Sequence, residues 1–149
     1  MKKDDKEQLL LKDLCARLPY DVMCQTDENG KIHKLKGINK YKGIWWYEFD
    51  GFRNIKLPKP YLRTMSSMTE EELKELKTLC SIYIPTNCPT IGFKDYGIIV
   101  FTHHLTNNTY SFKLNIDIID WLNAHHFDYH DLIEKGLAIE APDGMYGKF

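Results

Sequence analysis

Between Lys31 and Arg63 the chain sets nine cations, Lys31, Lys34, Lys36, Lys40, Lys42, Arg53, Lys56, Lys59 and Arg63, against two acids, Glu48 and Asp50. That is a local excess of +7 in a chain whose formal net charge is -1. Threaded among these charges are Tyr41, Trp45, Trp46, Tyr47, Phe49, Phe52 and Tyr61. Cations for phosphates and aromatic faces for bases are what small β-sheet folds use to hold single-stranded nucleic acid, at about 1–3 kcal/mol for each stacked base. The competing account is a scaffold, in which aromatics of alternating strands point into a core while lysine stems solvate the outer face. Adjacent Trp45 and Trp46 bear on the choice, because consecutive strand residues face opposite sides and a one-sided sheet buries only one of them. The candidate binding residues are Lys34, Lys36, Lys40, Lys42, Trp45, Trp46, Arg53, Lys56 and Arg63.

Histidine offers a second chemistry. His103 and His104 end one predicted strand, while His125, His126 and His130 fall in predicted C-terminal helices. An i, i+4 pair such as His126 and His130 points two imidazoles at one metal, with Asp128 or Asp131 as an oxygen ligand. The metalloprotease helix, however, needs a glutamate directly after its first histidine, and here Phe127 and Asp128 follow His126. A metal-dependent hydrolase built on His125, His126 and His130 therefore stands as an alternative, behind a helix junction whose histidines are satisfied or solvated. The sequence holds no GxSxG elbow, P-loop or GxGxxG turn. Asp117 and Asp120 sit near a predicted helix start, where complementing the helix dipole accounts for them. No catalytic residue is assigned, no cofactor is expected, and the chain is read as a non-enzyme.

The elements that must position these residues follow from periodicity and punctuation. Leu10, Leu11, Leu14 and Leu18 recur at helical spacing and Pro19 ends a helix over residues 4–18. Residues 19–63 read as a basic, aromatic-rich β segment, with turns at Asp27 to Gly30 and at Asp50–Gly51. Short strands so closely spaced predict a small, strongly bent antiparallel sheet or barrel. Thr69 with Glu72 three residues on is a capping box that opens a helix over 69–81, with Leu73, Leu76, Leu79 and Cys80 as its buried stripe. An irregular loop between Pro85 and Pro89 carries Cys88. A β hairpin over 96–115 turns at Asn107 and Asn108, and a helical hairpin over 116–137 ends at Gly136. An extended tail over 138–149 is either laid on the sheet or disordered.

Composition bounds the whole. A chain of 149 residues, 43% hydrophobic, has the usual size of one domain and can bury roughly 70% of its unfolded surface. The predicted fold class is α+β, a single domain over 1–149. Nothing at the N-terminus reads as a signal peptide, and no apolar run reaches the ~18 residues of a bilayer span, so the expectation is a cytoplasmic protein without membrane contact. Cys15, Cys24, Cys80 and Cys88 contain no CxxC pair and are read as small core residues rather than a disulfide framework.

Two strings carry a resemblance. "DWLNAHHFDYHDLIEKGLAIEAPDGMY", Asp120 to Tyr146, is similar to the tail of a group of uncharacterised small proteins from gut bacteria and their phages or mobile elements. "KPYLRTMSSMTEEE", Lys59 to Glu72, resembles a block that accompanies it. The resemblance covers somewhat over a quarter of the chain, brings no activity with it, and implies a setting: a phage or mobile-element protein acting in a bacterial host cell. In that group a basic residue and a glycine follow "FDY", where this chain has His130 and Asp131, which argues against a shared metal site using His130. Physically, Trp121, Leu122, Phe127, Tyr129, Leu132, Ile133 and Leu137 form one apolar set across two short helices, a hairpin built to pack or dock.

These readings converge on a binding module contacting another macromolecule. The aromatic excess and the predicted docking hairpin favour a protein partner, and the +7 segment keeps nucleic acid as the alternative. A virion or assembly component is a further alternative, and the sequence sets no oligomeric state.

Overall fold

A computed structural model describes residues 2–27, 29–80, 90–93, 98–102 and 106–147. The expected loop with Cys88, together with His103 and His104, lies outside the described residues. In chain order the elements are α1 (Lys3–Arg17), β1 (Met23–Gln25), β2 (Ile32–Lys34), β3 (Gly37–Tyr41), β4 (Ile44–Phe49), β5 (Phe52–Asn54), β6 (Lys59–Leu62), α2 (Glu70–Leu79), β7 (Thr90–Phe93), β8 (Ile98–Thr102), β9 (Thr109–Lys113), α3 (Ile116–Ala124) and β10 (Ile139–Glu140). The fold class is α+β, as expected. The chain divides into two compact units, Met1–Leu62 with Asp131–Ala141, and Arg63–His130 with Pro142–Phe149.

In the first unit, the β1–β2 hairpin forms at the predicted turn. Asp27 Oδ1 accepts from the backbone N–H of Asn29 (2.9 Å) and Lys31 (3.2 Å), and Gly30 supplies a φ of 78°. One sheet has the order β10-β6-β1-β2 and a second the order β3-β4-β5. Neither closes into a barrel. The reason is local to Leu35 and Lys36, which join β2 to β3: the Leu35 N–H donates to Val22 O while the Lys36 N–H donates to Glu48 O. The chain thus leaves one sheet and enters the other between successive residues, and the hydrogen-bonded ladder that a barrel requires is interrupted there. Nor is the first sheet wholly antiparallel, because the expected C-terminal tail lies on it as β10, parallel to β6, with Ile139 opposite Tyr61.

The core of this unit comprises Leu10, Leu14, Val22, Cys24, Leu35, Tyr47, Phe49, Leu62, Leu132 and Ala138. Helix α1 reaches it through Leu10 and Leu14, a helical repeat of four. On the same side it buries Asp13 and Arg17, joined by Nε to Oδ2 at 2.7 Å and Nη2 to Oδ1 at 3.1 Å. Cys24 packs in this core as expected. Cys15 is exposed, contrary to its expected core placement, because it lies one residue beyond the Leu14 face.

In the second unit, β7, β8 and β9 form an antiparallel sheet, of which the sequence reading had β8 and β9 but not β7. The capping box on α2 forms as predicted, Thr69 accepting from the Glu72 N–H and Glu72 accepting from the Thr69 N–H. Helix α3 is capped by Asn115, whose Oδ1 accepts from Ile118 N–H at 2.9 Å. Leu76, Cys80, Ile118, Leu122, Phe127 and Tyr129 make the core.

The predicted helical hairpin is corrected. After Ala124 the chain turns at His126, whose φ is 62°, and Phe127 then forms a parallel bridge with Arg63, the Arg63 N–H donating to His126 O and the Asp128 N–H to Arg63 O. A non-glycine residue in the left-handed region stops a helix. Residues 132–136 are turns rather than a second helix. The apolar set taken for one docking face is divided between two cores: Leu122, Phe127 and Tyr129 pack in the second unit, Leu132 in the first.

Candidate functional site

The site lies in the first unit, on the sheet that carries Trp45 and Trp46. Along β4 exposure falls from Ile44 to Phe49, and the side chains alternate between two faces. Register assigns the neighbours. Lys40 stands opposite Trp45, Ile38 and Asn54 opposite Tyr47, and Phe52 opposite Phe49, which together form one face. Tyr41 stands opposite Ile44, Asn39 opposite Trp46, and Arg53 and Gly37 opposite Glu48, forming the other. Hairpin β3–β4 turns at Lys42 and Gly43, both with positive φ, the backbone of a tight two-residue turn.

Each tryptophan carries a cation from the neighbouring strand. Lys40 Nζ lies 5.4 Å from the Trp45 ring centre and the Arg53 guanidinium 4.6 Å from that of Trp46. At the hairpin tip Lys42 Nζ is 5.4 Å from the Tyr41 ring. Such contacts are worth about 0.5–1 kcal/mol where exposed. Trp46 is half-buried beneath Arg53, and its indole N–H is buried without a partner among the described residues. Trp45 is exposed at 36%.

Beside Trp45 an open groove of about 910 Å³ runs between the sheet and α1. Its floor is Trp45, Tyr47, Ile55 and Leu57, and Ile44, whose register position is on the other face, borders it where β4 begins. The helix wall is Lys3, Asp4, Glu7, Gln8 and Leu11, positions that share one helix face roughly a quarter-turn from the Leu10/Leu14 core face. On the sheet side Lys56 closes the rim. Burial, with the charges of Cys15 and Glu7 adding to it, pushes the Tyr47 hydroxyl up to about 12, so it keeps its proton and remains a donor. Ile44 (49% exposed) and Ile55 (57%) continue the apolar surface out of the groove.

The sequence candidates separate in this arrangement. Lys40, Trp45 and Lys56 gather at the groove, and Lys42 stands at the adjoining tip. Trp46 and Arg53 lie on the opposite face of the same sheet. Lys34 is in the other sheet, 3.9 Å from Asp21, and Lys36 is exposed at the crossover between sheets. Arg63 belongs to the second unit and is 7% exposed. It donates to both Glu72 carboxylate oxygens at 2.8 Å, and its guanidinium lies 4.2 Å from the Phe127 ring centre. Burial by itself would raise the Glu72 carboxyl, but the Arg63 guanidinium and the Thr69 N–H and hydroxyl outweigh it and hold the group below its ordinary value.

His125, His126 and His130 each meet a ring. His125 stacks on Trp121 at 4.1 Å, with Nδ1 2.8 Å from Trp121 O; His126 stacks on Tyr146 at 3.6 Å; and His130 lies 4.3 Å from the Tyr129 ring. The helical i, i+4 geometry expected of His126 and His130 does not form, because α3 ends before them. Among the described residues no three His, Cys, Asp or Glu side chains gather to hold a metal ion. No described helix is long and apolar enough to cross a membrane.

Sequence reading missed the helix side of the groove and Ile55. The signal was present in Leu9, Leu10 and Leu11, a run wider than one core stripe can bury, and in the imperfect alternation around Ile55. Comparisons with protein-family models, with curated proteins and with solved structures find no match for this chain.

Proposed function

We propose that the chain is a non-enzymatic binding module of a phage or mobile-element type protein, holding a segment of another protein in the groove between α1 and the β3–β4–β5 sheet. The observation that carries this reading is the continuity of exposed Ile44, Trp45 and Ile55 with that groove. Contiguous exposed apolar surface rimmed by polar groups is characteristic of interaction sites, and tryptophan is enriched among the residues that dominate binding energy. The setting rests on the resemblance of the Asp120–Tyr146 and Lys59–Glu72 strings.

A protein segment suits the groove better than a nucleic acid does. The cations of residues 31–63 are spread over both faces of one sheet and part of another instead of forming a track, and Asp4 and Glu7 stand on the helix wall where phosphates would have to pass. The test is selection of displayed random dodecapeptides on the purified protein. Selected peptides are expected to compete with one another and to lose binding to a Trp45→Ala/Ile55→Ala double variant that still folds. Binders indifferent to that variant would sink the reading. Labelled single-stranded oligonucleotides titrated against salt cover the alternative: tight binding at low salt that falls steeply as salt rises would replace the protein partner with nucleic acid.

A further inference from the structure

The charges around the groove are arranged unequally, and that inequality specifies an occupant. On the sheet side stand Lys40 and Lys56, both exposed, with Lys42 at the adjoining hairpin tip. Lys40 rests on the Trp45 ring, Lys42 lies over Tyr41 of the other face, and among the described residues no carboxylate pairs with Lys40 or Lys56. The nearest acid of the same sheet, Glu48, lies on the other face, where its Oε1 accepts from Asn39 Nδ2 at 2.8 Å. On the helix side, Asp4 and Glu7 outnumber Lys3. Between these two edges lies an apolar floor that ends in exposed Ile44, Trp45 and Ile55.

We infer that the groove recognises an amphipathic protein segment of one-sided acidity: bulky apolar side chains seated against Trp45, Ile44 and Ile55, and carboxylates on one flank held by Lys40 and Lys56. The inference rests on the groove reading above and adds the chemistry of its partner. Carboxylates on the sheet side meet the Lys40 and Lys56 ammonium groups, which pair with no carboxylate among the described residues, whereas the same acids turned toward α1 meet Asp4 and Glu7, so the charges fix the direction in which the segment lies as well as its composition. The tryptophan supplies a flat apolar contact, and the Lys40 side chain that lies over its ring can swing to a carboxylate without uncovering the core.

Four dodecapeptide sublibraries with a randomised apolar centre test this, with glutamates on the N-terminal flank, glutamates on the C-terminal flank, lysines on either flank, or glutamines on either flank. One of the two glutamate sublibraries is expected to be enriched over the glutamine one by about fivefold to tenfold, the scale of one or two exposed ion pairs, and the lysine sublibrary to be depleted. A Lys40→Glu/Lys56→Glu variant, altered only at exposed positions, is expected to reverse the order in favour of lysine. Binding that depends on Trp45 but is indifferent to the flank would overturn the acidic segment while leaving the groove reading in place. If no sublibrary yields Trp45-dependent binders, both fall.

Discussion

Arg53 and Arg63 are ten positions apart in one basic stretch, and each lies over an aromatic ring, at 4.6 Å from Trp46 and 4.2 Å from Phe127. Their roles diverge because of what else surrounds them. Arg63 is buried, bidentate to Glu72, and further bonded to the carbonyls of His125 (3.3 Å) and Ser67 (3.4 Å). It ties the start of α2, the chain end beyond α3 and its own strand segment into one network. Arg53 is exposed on a three-stranded sheet, and although Glu48 is its cross-strand neighbour no ion pair joins them. A positive charge on an aromatic ring is therefore scaffold where a carboxylate is buried with it, and surface where none is.

The comparison breaks most readily at Arg63. Replacing it by methionine leaves the Glu72 carboxylate buried without its partner, and about 3–5 kcal/mol of the second unit's stability is expected to be lost at neutral pH, measured by denaturant unfolding. A further Glu72→Leu change is expected to restore most of that loss. The pH dependence has a definite sign. Wild-type Glu72 is held below its ordinary value, so its contribution is fully present above the unfolded carboxyl value of about 4.3 and is lost as pH falls through the folded one. In the Arg63→Met variant only the Thr69 groups oppose burial, so the group lies above its wild-type value and the gap between variant and wild type is expected to narrow on acidification. A gap that stayed constant with pH would contradict the ion pair.

The next effect sharpens the boundary between the two units. Leu132 is fully buried among Leu10, Leu14 and Leu62, whereas Leu122 packs with Leu76, Ile118 and Phe127. Leu132→Ala and Leu122→Ala are each expected to cost about 2–5 kcal/mol. Hydrogen exchange should then rise in β1 and β6 for the first and in α2 and α3 for the second; the same pattern for both would contradict the separation into two cores.

That division marks what was and was not legible in the residues. Local signals were read correctly where the interaction closes within a few residues: the Thr69–Glu72 box, the Asp27–Gly30 turn, and the Asn107 turn with its φ of 57°. The larger failures involve partners distant in sequence. Nothing local to Leu132 tells it from Leu122, and a period of 3.6 across residues 116–137 fits a hairpin until His126 enters the left-handed region to let Phe127 bridge Arg63. Likewise the charge excess drew attention to the right strand, but only register shows that Lys40 and Arg53 serve opposite faces.

A smaller effect isolates the cap from the ion pair. Thr69→Ala removes the hydroxyl that accepts from the Glu72 N–H at 3.2 Å, while the Glu72 to Thr69 N–H bond of 3.0 Å and the Arg63 pair remain possible. The expected cost is about 1 kcal/mol, well below that of Arg63→Met. Equal losses would mean that the cap, and not the guanidinium, is what keeps Glu72 in place.

The smallest effect belongs to Arg53. Its guanidinium over Trp46 is solvated and makes no ion pair among the described residues, so Arg53→Ala is expected to change stability by no more than about 1 kcal/mol. Because Trp46 lies on the face away from the groove, the same change should leave groove-dependent peptide binding intact, while uncovering the half-buried indole and shifting its fluorescence to longer wavelength. Trp45→Phe supplies the complementary arm, since it should weaken binding and leave the emission of Trp46 where it was. If Arg53→Ala instead weakened binding as much as Trp45→Phe did, the two faces of the sheet would be acting as one site. The distinction drawn between a surface arginine and the groove lysines would then have to be redrawn around the whole strand.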